Sequence, residues 1–257
     1  METLRAGVRV WLGWLVLWTA TPAVADLPDT VARVKPSIVA IGTVLKTRRP
    51  PAKIIGTGFV VGNGKLVVTN AHVVPEEIDK AKHEALAIMQ QGQGRKVRAR
   101  RASLLASDRE HDLALLEIEG DPLPALKLGD SEAVREGELY AFTGFPIGAA
   151  LGLSPVTHHA IISAISPVAM PVTSTNDLDV KMIRRLKDPF EIFQLDAVAY
   201  PGNSGSPLYD PDTGAVVAVI NAVYVKESKE KILVDPSGIS YAMPVIYVRK
   251  LLKDVGM

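Results

Sequence analysis

Cysteine is absent from all 257 residues. Neither a disulfide framework nor a thiolate site is therefore available, and stability must come from a packed core, one or two of which a chain of this length can bury. With only five histidines as well, a structural zinc site is not expected, and the sequence calls for no metal and no cofactor. Aromatic residues are scarce at 5%, and all three tryptophans, Trp11, Trp14 and Trp18, stand near the start of the chain. No sign of charge prevails: of 29 basic and 28 acidic residues, Arg5, Arg9 and Glu2 lie in the first 25 positions, which leaves 27 of each. That balance offers nothing to nucleic acid or to anionic lipid. The apolar stretch from Val10 to Ala20 is shorter than the roughly 20 residues that cross a bilayer.

What those first residues do have is the layout of a secretory leader. Arg5 and Arg9 form a positive head, Val10 to Ala20 an apolar centre, and Ala23-Val24-Ala25 a small-residue cleavage site. Residues 1–25 are expected to be a signal peptide, with export to the periplasm or beyond and no stable membrane insertion after cleavage.

Beyond Ser37 short apolar segments alternate with turn signals. Ser37 to Leu45, Ile54 to Val61, Leu66 to Thr69, Val97 to Leu105 and Leu113 to Ile118 are rich in Val, Ile and Thr, and Asn63-Gly64 between two of them argues for a β-hairpin. The pattern predicts a small antiparallel barrel. After Gly120-Asp121-Pro122-Leu123-Pro124 and Gly129-Asp130-Ser131 the strand-like runs resume at Glu138 to Thr143, Val156 to Ile165, Glu191 to Ala199 and Ala215 to Val225, with a division near Lys127 to Gly137. His158 and His159 are neighbours on one such run, so they point to opposite faces and do not share an ion. Arg95 to Arg101 alternates as the solvated face of a strand does, and no aromatic residues interleave to stack on bases.

Two segments carry helical signals. From Pro75 to Gln91, proline and acids open the run, Ile78, Ala81, Ala85 and Ile88/Met89 recur at helical spacing, and Gly92 follows, which predicts a short amphipathic helix. At the other end Val245, Val248 and Leu251/Leu252 predict a helix over Pro244 to Val255. Ser166 to Pro189, with three prolines and a basic run from Lys181 to Lys187, is irregular and is expected to be a loop with a control function.

Chemistry concentrates in Pro201-Gly202-Asn203-Ser204-Gly205-Ser206-Pro207. A serine nucleophile needs an exposed tip on a rigid turn, with backbone N–H groups aimed at the oxyanion formed as it attacks a carbonyl. Thr69-Asn70-Ala71-His72 supplies a candidate general base, and Asp112, opening an apolar run, a carboxylate to orient it. All five histidines precede Ser204, so the nucleophile-acid-histidine order of the α/β-hydrolases is excluded. Only Asp26 and Asp29 lie upstream of His72, which disfavours the subtilisin order. The order His72, Asp112, Ser204 is that of the chymotrypsin fold.

With these segments on the page the chain resembles the chymotrypsin-like (trypsin-like) serine proteases, and within them the bacterial HtrA/Deg branch. The resemblance lies in Gly56-Thr57-Gly58-Phe59-Val60-Val61, Thr69 to Val74, Asp112 to Leu115, Leu195-Asp196-Ala197, Gly202 to Pro207 and Gly238 to Pro244. It implies an all-β fold of two antiparallel β-barrels, residues 26–130 and 131–257, with the active site in the cleft between them. The inserted helix and the C-terminal helix would pack on the outside.

It further implies His72, Asp112 and Ser204 as catalytic triad. The backbone N–H groups of Gly202 and Ser204 would form an oxyanion hole, and Asn203 would hold the turn. Val198, Ala199, Tyr200, Asn221, Ala222 and Val223 would line a pocket that favours small or medium aliphatic side chains.

Serine at 206 departs from the usual Gly-Asn-Ser-Gly-Gly and resembles the staphylococcal glutamyl endopeptidases. Family members usually continue into PDZ domains, and the sequence ends at Met257, so capture by a PDZ groove is not expected. Trimers of the family rely on an aromatic N-terminal segment, and Asp26 to Lys35 has none, which points to a monomer. The expected function is an exported serine endopeptidase acting on unfolded or damaged proteins. The alternative is a peptide-binding or chaperone-like module on the same fold.

Overall fold

The computed structural model describes residues 26–91, 97–147, 152–167, 189–221 and 239–257. The chain enters through helix α1 (Leu27–Val34), which has Pro28 and Asp29 in its first turn and Arg33 in its last, in keeping with the helix dipole. Thr30 and Val34 are its buried face, and Thr30 Oγ1 and Arg33 both donate to the Asp212 carbonyl far along the chain. A single 3-10 turn over Lys35–Ser37 then leads into the sheets.

Six strands close the first barrel: β1 (Ile38–Val44), β2 (Ala52–Val61), β3 (Leu66–Asn70), β4 (Ala85–Gln91), β5 (Val97–Asp108) and β6 (Leu113–Ile118). Six more close the second: β7 (Leu139–Gly144), β8 (Val156–Pro167), β9 (Glu191–Asp196), β10 (Pro207–Tyr209), β11 (Val216–Asn221) and β12 (Ile239–Pro244). The spatial orders are β1-β2-β3-β6-β5-β4 and β7-β8-β9-β12-β11-β10, so both barrels are wound the same way, and every pairing within them is antiparallel. The β2–β3 hairpin turns at Asn63-Gly64: Gly62 and Gly64 adopt positive φ, and Asn63 Oδ1 accepts from Lys65 N–H.

The amphipathic helix expected over residues 75–92 does not form. The segment holds one 3-10 turn, Lys80–Lys82, ended by His83 in the left-handed region, and then strand β4. Leu86, Ala87, Ile88 and Met89 are all buried. A strand covered on both faces shows no alternation, and its short apolar run reads like a helix until β1 and β5 are seen to need a strand between them. Glu84 secures the entry to β4, accepting from Thr43 Oγ1 at 2.5 Å and Arg48 Nη1 at 2.8 Å.

Helix α2 (Val245–Asp254) follows β12 and buries Val245, Val248 and Leu251, each contributing about 1.5–3 kcal/mol. It packs on β11 and β12 of its own barrel and on β5 and β6 of the other. One apolar cluster runs from Ile38, Phe59, Leu113 and Leu115 through Phe145, Tyr209 and Val219 to this helix, so the two barrels share a core. His158 and His159 are both on β8, with His158 stacked on Phe142. Residues 1–25, most of the irregular segment 166–189, and Arg95 and Lys96 of the basic patch lie outside the described residues. Among those described, no helix is long and apolar enough to cross a membrane.

Candidate active site

Strand register brings the imidazole to the carboxylate. Asn70, the last residue of β3, pairs with Leu113, the first of β6, so Ala71 faces Asp112 and donates to its carbonyl at 3.0 Å. His72 comes next, on a 3-10 turn over Ala71–Val73. Its Nδ1 lies 2.6 Å from Asp112 Oδ2, and its backbone N–H donates to Oδ1 at 2.9 Å. An ionised carboxylate only accepts, so the ring proton sits on Nδ1 and the Nε2 lone pair is left free to accept.

More holds Asp112 than the sequence reveals. Asn70 Nδ2 donates to its carbonyl at 3.0 Å, and Asn221 Nδ2, from β11 of the second barrel, donates to Oδ2 at 2.8 Å. Its backbone has φ 52, the left-handed region that non-glycine residues avoid. Asn221, one of the residues expected to line the specificity pocket, also bonds the carboxylate across the barrel interface. No spacing rule identifies such a residue, because it depends on where β11 ends relative to β6.

Ser204 sits in the loop between β9 and β10, where Gly202 (φ 100) and Gly205 (φ 86) supply the left-handed turns. Asn203 N–H donates to Tyr200 O, Ser206 N–H to Asn203 O, and Gly205 N–H to Ile220 O. Thr57, on β2, straps this loop to the first barrel: its N–H donates to Ser204 O at 2.8 Å, its Oγ1 donates to Gly202 O at 2.7 Å and accepts from Phe145 N–H at 3.0 Å. The contact is too close for any side chain at 205, where a Cβ would lie 2.0 Å from the Thr57 carbonyl oxygen. At Gly56 a Cβ would meet both the Val73 methyls and the Ser204 carbonyl, so the β2 backbone touches the His72 turn and the Ser204 loop at one point. Thr57 looks like any strand threonine in the sequence, and only the Gly-Thr-Gly pattern hints at backbone crowding.

Ser204 is 5% exposed. It makes no direct hydrogen bond to His72, a gap common in substrate-free sites that tighten on binding. The N–H groups of Gly202 and Ser204 donate to no acceptor among the described residues, whereas that of Asn203 is committed within the turn. Behind the loop, Asn203 and Ser206 are fully buried, and among the described residues neither the Asn203 amide nor Ser206 Oγ has a partner. The extra hydroxyl at 206 occupies space left by another glycine: a Cβ on Gly144 would lie 2.0 Å from Ser206 Oγ and 2.8 Å from Asn203 Oδ1.

Of the expected pocket, Val198, Ala199 and Tyr200 lead into the nucleophile loop, and Ser240 Oγ fastens them, accepting from Ala199 N–H and donating to Ala197 O at 2.7 Å each. Ala222 and Val223 lie outside the described residues. A cavity of about 480 Å³ lies elsewhere, on the flank of the first barrel between Val74, Ile78, Leu86 and Leu104.

Residues 56–219 match the trypsin-like peptidase domain family. The chain is 31% identical over 191 residues to a probable periplasmic DegP-like serine endoprotease of Halomonas elongata, covering 74% of this chain and 33% of that protein. It is 28% identical to the DegP-like protein of Hahella chejuensis, covering 99% and 54%, and 29% identical to serine protease HTRA1B of Danio rerio, covering 89% and 41%. It thus spans between about a third and about half of the length of these relatives. Among solved structures, the HtrA-type protease AlgW with tripeptide superposes with a TM-score of 0.60 at 24% identity, covering 90% of this chain and 63% of that one. At that identity the likeness is one of fold.

Proposed function

Because the chain belongs to the trypsin-like peptidase family, we propose that it is an exported serine endopeptidase that hydrolyses peptide bonds of unfolded or damaged proteins, with Ser204 as nucleophile. The observation that carries the reading is the His72–Asp112 pair at 2.6 Å, on the barrel to which Thr57 straps the glycine-flanked loop of Ser204. Ser204 Oγ attacks the carbonyl carbon as His72 Nε2 takes its proton, and the oxyanion is received by the N–H groups of Gly202 and Ser204. His72 then returns the proton to the leaving amine, giving an acyl-enzyme and a new amino terminus. Water, deprotonated by the same imidazole, releases the acid and restores Ser204.

With the division at 130/131, the first barrel supplies base and orienter and the second the nucleophile, so one chain is sufficient for the chemistry and a monomer fits it. Export by the 1–25 leader would place the enzyme in the periplasm, the compartment named for its DegP-like relatives. Val198, Ala199 and Tyr200, with Asn221, Ala222 and Val223, would accept small or medium aliphatic side chains before the cut bond. The unmade Ser204–His72 hydrogen bond is the one observation favouring the second reading, a module that binds peptides without cleaving them.

Incubation with an unfolded protein such as reduced casein decides between the two. The protease reading expects fragments with new amino termini from the wild-type chain and none from Ser204→Ala. Equal fragment yields from both chains, or intact casein with both, would remove it.

A further inference from the structure

A second histidine–aspartate pair stands immediately beside Asp112 and has no place in the chemistry above. His111 Nδ1 lies 2.6 Å from Asp108 Oδ2, and the other oxygen of Asp108 accepts from the backbone N–H groups of Glu110 and His111 at 3.0 and 3.1 Å. Burial opposes ionisation of Asp108, but the hydrogen bonds from His111 outweigh it and hold the carboxyl below its ordinary range. The imidazole is 7% exposed. It stacks on Tyr247 of α2, with ring centroids 4.0 Å apart and planes 17° apart, and meets Phe190 at 4.6 Å. Tyr247 and Phe190 also touch each other edge to face.

We propose that His111 is a positioning residue for the catalytic carboxylate: held by Asp108 and clasped by Tyr247 and Phe190, it ties the aim of Asp112 to the seating of the C-terminal helix. The angle φ at residue 112 is set by the peptide plane that precedes it, and His111 carries that plane. At φ 52 the backbone lies in the sparsely populated left-handed region, which aspartate tolerates better than most side chains but which its surroundings help to hold. On one side Asp112 is fixed by the His72 turn, Asn70 and Asn221. On the other, His111 is the only residue between Asp112 and the Asp108-capped turn that is buried among aromatic rings. Tyr247 belongs to the second barrel's terminal helix and Asp112 to the first barrel's turn, so the contact gives the helix a route to the triad without touching substrate. The role rests on the protease reading and says which residues keep that site in register.

The test uses the full chain and a fluorogenic peptide, with kcat and KM measured separately. His111→Ala and Tyr247→Ala are each expected to lower kcat about tenfold while KM stays within about twofold, the pattern of a lost transition-state contribution. The double variant is expected to be no worse than either single one. His111→Phe keeps a ring against Tyr247 but loses the bond to Asp108. It is expected to melt close to the wild-type temperature and still lose most of the kcat. The downfield proton resonance of the His72–Asp112 hydrogen bond should broaden or shift in all of these variants. Wild-type kcat in His111→Phe, losses that multiply in the double variant, or an unchanged downfield proton in a slowed variant would each overturn the proposal. Ser204→Ala run alongside separates the two failures: if it still turns over peptide the protease reading falls, whereas an inert Ser204→Ala beside fully active His111 variants removes the positioning role alone.

Discussion

Asp112 in the first barrel has both carboxylate oxygens and its carbonyl engaged, by His72, Asn221, Asn70 and Ala71. In the second barrel, Asn203 and Ser206 flank Ser204 at least as deep, and their side chains have no hydrogen-bond partner among the described residues. The two halves of the site are thus held by different physics. The carboxylate is aimed by directed hydrogen bonds, each of which can be removed with one side chain. The Ser204 loop is held by chain shape: left-handed glycines at 202 and 205, backbone bonds within the turn, and the Thr57 strap, packed so closely that an added methyl has nowhere to go. Losing a hydrogen bond should show in kcat, and disturbing the shape should show in stability.

The largest expected effect breaks the first half outright. Asp112→Asn keeps the shape but presents an amide where His72 Nδ1–H needs an acceptor, and should lower kcat by about 10⁴-fold with the fold intact. A loss under tenfold would mean that the carboxylate does not orient the base. Asn221→Ala removes one donor from Oδ2 and leaves the His72 contacts, so kcat should fall by roughly tenfold with KM nearly unchanged. A rise in KM alone would assign Asn221 to the substrate pocket and not to the carboxylate.

The second half is sharpened by Gly144→Ala, whose new methyl meets Ser206 Oγ and Asn203 Oδ1. It should cost about 1–3 kcal/mol in denaturant unfolding, and adding Ser206→Gly should recover much of that loss. Ser206→Ala alone removes a buried hydroxyl without a partner and should change stability by less than about 0.5 kcal/mol or raise it slightly.

The smallest effect concerns pH. Burial of His158 disfavours its imidazolium and lowers its pKa from the ordinary 6.5. Below that value the unfolded chain takes up a proton more readily than the folded one, so the stability involved is complete above it and declines as pH falls. The melting temperature should drop between about pH 7.5 and about pH 5.5, and His158→Phe, which preserves the stack on Phe142, should flatten part of that slope.

How much of this could be read beforehand follows from where each residue's information lies. His72 and Asp112 stand at the ends of two recognisable strands, and once β3 and β6 pair, residues 71 and 112 must face each other. Strand β4 escaped because burial on both faces erases the period of two, and β10 because three residues beginning with proline are too short to show one. Thr57 and Asn221 act through contacts with residues 145 and 109 positions away. Nothing local in a threonine or asparagine on a strand reports such a partner. Ser206 was visible as a departure from the family pattern, but the glycine that accommodates it lies on another strand.

Whether Ser204, His72 and Asp112 act as one nucleophilic unit is decided by the rate of labelling with a fluorophosphonate, the modified residue being located by mass spectrometry. A single adduct on Ser204 is expected, lost in His72→Ala and much slowed in Asp112→Asn. A folded wild-type chain that stays unlabelled, or that labels equally fast without His72, would contradict it.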